Sequence, residues 1–88
     1  MIIIFKSDSV KSNGNSNQKI IELFKTNLPG EDAVFFVKNK IAETYPNAVI
    51  NVDLEDTDKV MKLKNETVDR AFVIETLTSM GYLCEVLD

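Results

Sequence analysis

The sequence predicts an α+β fold for residues 19–88, and three observations support that prediction. Apolar side chains recur at helical spacing in two segments, which begin near Glu31 and Thr67. Apolar and polar residues alternate in residues 49–54 and again in residues 59–64, as they do in strands with one buried face. Pro-Gly, Pro-Asn and acidic turn sequences separate the segments. A chain of 88 residues is expected to form one such domain.

Residues 19–27 are the first element of this prediction. Their apolar run fits either a strand or a short helical turn, because it is too short for its period to decide. Pro29 and Gly30 then break the chain. Glu31 and Asp32 suit the first turn of a helix because carboxylates there face the positive end of the helix dipole. The apolar face of that helix consists of Ala33, Val34, Val37, Ile41 and Tyr45.

The second half of the chain continues with two strands, a helix and a last strand over residues 82–87. Asn65 or Thr67 is expected to cap the helix, and Gly81 suits the left-handed position that ends it. The apolar stripe of that helix consists of Phe72, Val73, Thr76, Leu77 and Met80. The order strand, helix, strand, strand, helix, strand, with both helices on one face of an antiparallel sheet, is the ferredoxin-like βαββαβ arrangement.

Residues 1–18 are predicted to be an N-terminal extension that precedes this domain. Residues 2–7 are mostly β-branched or aromatic and predict a short extra strand, and the Ser- and Asn-rich stretch after them predicts a flexible loop. If residues 19–27 form the first core strand, the extra strand can pair only with a sheet edge or with another subunit. In the rival interpretation, residues 2–7 are the first core strand and residues 18–26 are an inserted helical turn.

Charge and composition exclude several classes of protein. The net charge is −4, from fourteen acidic and ten basic residues, and the lysines form no basic stripe. This distribution disfavours binding to nucleic acid or to an anionic membrane, which needs a clustered positive field. No apolar run approaches the roughly 18 residues of a membrane span, and residues 1–5 lack the features of a signal peptide. We therefore expect a cytoplasmic protein.

The scarcity of reactive side chains predicts that the chain is not an enzyme and carries no cofactor. Histidine is absent and cysteine occurs once, at Cys84. One chain therefore cannot build a Ser-His-Asp site, a Cys-His pair, a disulfide or a zinc site of nitrogen and sulfur ligands. Cys84 lies on the side of the last strand that Tyr82 and Val86 share, and it is expected to be a buried, inert thiol.

Residues 19–88 resemble the heavy-metal-associated domains, the copper-chaperone-like family. In that family a first strand leads into a Gly-Met-Thr-Cys-x-x-Cys loop and a helix. Here Asn27 stands at the glycine, Leu28 at the buried methionine, and Gly30 and Ala33 at the two cysteines. Further matches are Tyr45-Pro46-Asn47-Ala48-Val49 after the first helix, Val52-Asp53-Leu54 in the second strand and Gly81-Tyr82 after the second helix.

The resemblance implies a metal-binding loop at the start of the first helix, where paired thiolates would bind Cu(I) or Zn²⁺. Gly30 and Ala33 supply no such ligands, so this is a degenerate metal site. In the family, partner domains dock at the same end of the domain. We therefore expect an interaction patch there, formed by Leu28, Phe35, Phe36 and Tyr82.

Two functions follow from these residues. The first is a small binding or interaction module that contacts a protein partner or a second copy of itself and does not bind soft metals on its own. The alternative is a metal-handling protein, in which Cys84 from two chains, or the carboxylates between Asp53 and Asp58, bind a metal weakly. A weaker third interpretation is a small-molecule sensor, because the fold alone decides no function.

Overall fold

The computed structural model describes residues 19–87. The elements within this range are β1 (Ile20–Thr26), α1 (Glu31–Ala42), β2 (Val49–Val52), β3 (Met61–Asn65), α2 (Arg70–Ser79) and β4 (Cys84–Val86). They form an α+β fold with one four-stranded antiparallel sheet and two helices, as predicted. The predicted extra strand at residues 2–7 and the loop that follows it lie outside the described residues.

The sheet has the strand order β2-β3-β1-β4, and every neighbouring pair is antiparallel. β1 lies inside the sheet, since Phe24 pairs with Met61 of β3 on one side and with Val86 of β4 on the other. Backbone partners on both sides explain why this ambiguous apolar run is extended. The rival interpretation, in which it is a helical turn, is therefore wrong for Ile20–Thr26.

One hydrophobic core joins the sheet to both helices. α1 contributes Ala33, Val37 and Ile41, and α2 contributes Val73 and Leu77. The sheet contributes Phe24, Ile50, Met61, Leu63 and Cys84, and Leu28 joins them from the loop after β1. Along β3 the buried residues alternate with exposed lysines, so the sheet packs against the helices on one face. Within residues 19–87 no element covers the other face, which we call the open face.

The caps of α2 differ in part from the prediction. Asp69, rather than Asn65 or Thr67, is the N-cap, and its carboxylate accepts hydrogen bonds from the backbone N–H groups of Ala71 and Phe72. Asn65 instead ends β3, where its side-chain amide donates to the carbonyl of Thr67 and fixes the intervening turn. At the other end, Gly81 has the predicted left-handed conformation, with φ of 92°.

α1 is shorter than its apolar spacing predicts. The helix ends at Ala42, before Tyr45, and the N–H groups of Thr44 and Tyr45 both donate to the carbonyl of Ile41. The Tyr45 ring is then free to pack edge-on against Phe72, with ring centroids 5.3 Å apart. Its hydroxyl oxygen accepts a hydrogen bond of 2.9 Å from the N–H of Asp69. Tyr45 thus connects the end of α1 to the start of α2.

Candidate functional site

The loop between β1 and α1 is tied to the strands and loops on both sides of it. The Thr26 hydroxyl donates to the carbonyl of Lys59 over 2.7 Å, and the Thr26 N–H donates to the carbonyl of Asp58 over 3.0 Å. On the opposite side, the side-chain oxygen of Asn27 accepts a 2.8 Å hydrogen bond from the N–H of Leu83. The loop is therefore held in place although none of its residues supplies a metal-binding thiolate.

Leu28 anchors the same loop to the hydrophobic core. Its side chain is 0% exposed and belongs to the hydrophobic core, and its N–H points to the Thr26 hydroxyl at 3.4 Å. A side chain with no accessible surface cannot contact a partner directly. Leu28 therefore supports the predicted patch from inside the domain and contributes none of its surface.

Gly30 and Ala33 occupy the start of α1. Gly30 is the N-cap and is fully extended, so no side chain caps the helix there. A β-carbon added to Gly30 would meet no heavy atom within 4 Å. Ala33, one turn later, is 6% exposed and packs in the core. The two positions thus differ in environment, since position 30 has room for a side chain and position 33 is enclosed.

Phe35 and Phe36 are the most exposed aromatic side chains of the described residues. They are 61% and 59% exposed, and their rings meet edge to face with centroids 5.9 Å apart. They lie on α1 away from the side that carries Ala33, Val37 and Ile41, which explains why the helix leaves both rings in solvent. We call these two side chains the Phe pair.

Tyr82 is half-buried and packs against the hydrophobic core, and its N–H donates to the carbonyl of Leu77 at the end of α2. Within the predicted patch, the structure therefore brings together only the two phenylalanines as an exposed, touching pair. Leu28 is enclosed. Tyr82 is half-buried, and its backbone N–H forms a hydrogen bond that ends α2.

Cys84 is buried in β4, and this burial raises the pKa of its thiol from 9.0 to about 11, with a smaller contribution from the nearby Glu85 carboxylate. Such a thiol is protonated at neutral pH, whereas the thiolate is the form that binds metals. Within residues 19–87, no three side chains of His, Cys, Asp or Glu are grouped so that they could hold a metal ion.

The acidic stretch after β2 is a set of turns. The Asp53 carboxylate accepts from the N–H of Glu55, and the Asp56 carboxylate accepts from the N–H of Asp58. These are bonds that Asp side chains make to the backbone two residues on, and they shape the turn itself. Lys59, with φ of 44°, donates its ammonium to the carbonyl of Leu54 over 3.0 Å and closes the loop.

Several other exposed apolar residues were not singled out from the sequence, and the most exposed of them are Ile21 and Val49. Ile21 and Val49 are 54% and 52% exposed, and both are cross-strand partners of Lys64 on the open face of the sheet. The alternation of apolar and polar residues in β2 predicted which of its residues face the helices. The pairing of Ile21 and Val49 with Lys64 depends on the strand order, which the sequence alone does not reveal.

Comparison of the chain with protein-family models, with curated proteins and with solved structures finds no match. In the part of the chain that the structure describes, no helix is long and apolar enough to cross a membrane.

Proposed function

We propose that the chain is a small protein-binding module, whose contact surface is centred on the Phe pair of α1. The observation that carries the proposal is the exposure of two adjacent, touching aromatic rings. Burying a phenylalanine side chain is worth about 1.5–3 kcal/mol, so leaving two in water forgoes a large stabilisation that a partner surface can recover. Aromatic residues are also enriched among the residues that dominate binding energy at interfaces.

We further propose that the fold is the ferredoxin-like arrangement and that the chain is a divergent relative of heavy-metal-associated domains. The element order and the strand order β2-β3-β1-β4 support this assignment. The loop ahead of α1, with Leu28 enclosed beneath it and Gly30 as the N-cap, also fits a metal-site scaffold from which the thiols have been lost. In this proposal the scaffold is retained for its surface.

The environment of Cys84 favours binding over the alternative of metal handling. A metal shared between two chains through Cys84 needs an accessible thiolate, whereas this thiol is buried and has a raised pKa. The turn carboxylates are hard oxygen donors, and two of them already accept backbone hydrogen bonds. The contact surface is therefore the better supported of the two functions.

The proposal is tested by comparing the parent chain with the variant Phe35→Ser/Phe36→Ser. We expect the parent chain to associate, either with itself in sedimentation velocity or with a protein retained on the immobilised chain. The double variant is expected to weaken that association at least about tenfold, which corresponds to roughly 1.4 kcal/mol. Its free energy of unfolding should change little, because both rings are exposed.

The matched control is Ile21→Ser/Val49→Ser, which removes two apolar side chains of similar exposure from the open face of the sheet. This variant should associate as the parent chain does. The proposal fails if the parent is monomeric at every concentration and retains no protein that the Phe-pair variant loses. It also fails if the control and the Phe-pair variant weaken association equally.

A further inference from the structure

Among residues 19–87, the edge of the sheet at β2 has backbone hydrogen-bonding groups that no other strand pairs with. β2 ends the strand order on one side, and its register pairs Val49 with Lys64 and Val52 with Met61. The N–H of Asp53 continues this ladder by donating to the carbonyl of Val60 over 2.9 Å. Because alternate residues of an antiparallel strand bond to the same neighbour, Asn51 also faces β3. The N–H and C=O groups of Ile50 and Val52 then point away from the sheet.

A groove with apolar walls and a polar rim, which includes Glu31 and Lys38, runs beside this edge. Val34 and Phe35 of α1, with Leu54, line a groove of about 290 Å³ against Val52 and Asn51. A second groove, of about 460 Å³, continues along the same crevice between α1 and β2. Its lining includes Ala42, Tyr45, Ala48 and Val49. A strand added to β2 would therefore find apolar surface for the side chains that point toward α1, as well as backbone partners.

We propose that residues 2–5 of this same chain add to β2 as an antiparallel edge strand. These residues are Ile-Ile-Ile-Phe, which are apolar at every position and favour extended structure. Two of their four side chains would enter the groove beside Phe35, and the other two would lie on the open face near Val49. Ile50 and Val52 would each exchange two backbone hydrogen bonds with the added strand.

The length of the chain ahead of β1 fits this arrangement. Ile21 and Val49 are both paired with Lys64, so the start of β1 and the start of β2 lie at the same end of the sheet. An antiparallel addition to β2 would bring the end of residues 2–5 to that same end. With strands about 4.8 Å apart, the added strand lies three positions from β1, a distance of roughly 15 Å. The mostly polar residues 7–18 supply twelve residues of connection, and a random-coil chain of that length would span roughly 20 Å.

The other edge strand fits less well. Cys84, where β4 begins, pairs with Thr26 at the far end of β1. An antiparallel addition to β4 would thus place the end of residues 2–5 at that far end, so the connection would have to run back along the whole of β1. A second copy of the chain could also supply the strand, but a short covalent connection would give the tethered segment an effective concentration in the millimolar range. The geometry therefore favours β2 and a segment of the same chain.

Amide hydrogen exchange of the full chain tests this inference, which does not depend on the function of the Phe pair. We expect the Ile50 and Val52 amides to be protected in the parent chain. The variant Ile3→Asp/Ile4→Asp should exchange them at least about tenfold faster, because aspartate is disfavoured in strands and loses the apolar contacts of isoleucine. The control Ser12→Asp/Ser16→Asp makes the same charge change in the connection and should leave both amides protected.

The Asn51 amide is the internal reference, because it bonds to β3 and should stay protected in all three proteins. Equal exchange of Ile50 and Val52 in the parent chain and in Ile3→Asp/Ile4→Asp would overturn the proposal. Protection that rises with protein concentration, together with a doubled molecular mass, would overturn it in favour of a second copy. Phe36 does not line the groove, unlike Phe35. The single variant Phe36→Ser should therefore weaken association and leave Ile50 and Val52 protected, which separates the two proposals.

Discussion

At the scale of single residues, the loop before α1 retains the space that a metal ligand would need. Gly30 is extended and open, so a cysteine side chain fits there without strain. Ala33 is enclosed, so a cysteine would add one sulfur atom to a packed site. Overpacking of this kind costs about 1–3 kcal/mol, which a small domain tolerates only if it is otherwise stable.

This geometry gives a test of the proposed relation to heavy-metal-associated domains. The variant Gly30→Cys/Ala33→Cys should gain stoichiometric binding of Cu(I), because its two thiols would lie one turn apart at the positive end of a helix, which favours thiolate. Binding is measured by competition with a colorimetric Cu(I) chelator. Gly30→Ser/Ala33→Ser is the control and should not compete. If the cysteine variant folds and binds no more Cu(I) than the serine variant, the assignment to the heavy-metal-associated lineage is contradicted.

The thiol of Cys84 gives a second prediction at this scale. Its pKa is raised to about 11, first by burial and then by Glu85. The folded chain should therefore react with iodoacetamide far more slowly at pH 9 than the chain unfolded in denaturant, because the thiolate is the reactive form. The variant Glu85→Gln should accelerate the reaction only slightly, since burial is the larger cause. Rapid, complete alkylation of the folded chain at pH 8 would contradict this account.

The sign of the pH effect on stability follows from the same shift. The folded state keeps the thiol proton up to a higher pH than the unfolded state does. The favourable contribution of the protonated thiol is therefore present below pH 9 and is lost as the pH rises toward about 11.

At the scale of elements, the cap of α2 carries a measurable share of the stability. The Asp69 carboxylate accepts from Ala71 and Phe72 at 3.0 and 3.3 Å. Asp69→Ala should lower the free energy of unfolding by about 0.5–2 kcal/mol, whereas Asp69→Asn should nearly restore it, because asparagine caps helices as well as aspartate does. Urea unfolding measures both variants. Equal stability of the alanine variant and the parent chain would show that the cap contributes nothing.

The sequence predicted well the elements in which apolar residues recur at regular spacing. The face of α1 that carries Ala33, Val37 and Ile41 is buried as expected, and so are Val73 and Leu77 of α2. In β3 the alternation of Met61 and Leu63 with lysines also appears as predicted. The spacing of apolar side chains along a helix or strand shows which face is buried, and this spacing can be read from the sequence alone.

The elements that the sequence left open depend on distant partners. β1 is a strand because β3 and β4 flank it, which no local pattern in Ile20–Thr26 reveals. The cap at Asp69 was missed because Asn65 and Thr67 are equally good cap residues, and only their use in the turn after β3 excludes them. For the candidate site, Phe35 and Phe36 of the predicted patch are exposed, but the enclosure of Leu28 beneath the loop removes it from the contact surface.

At the scale of the whole molecule, the domain leaves apolar groups exposed in distinct places. The Phe pair projects from α1, and the edge of β2 borders a partly apolar groove that Phe35 also lines. The central claim is that the first of them, on α1, is where a partner binds.

A map of backbone amide shifts during association tests this claim most directly. The ¹⁵N-labelled chain is titrated with the protein that it retains, or diluted in steps if it associates with itself. We expect the largest shift changes in Glu31–Ala42, centred on Phe35 and Phe36, with little change at Ile21 and Lys64 on the open face of the sheet. Changes centred on that open face, with the amides of α1 unaffected, would contradict the account.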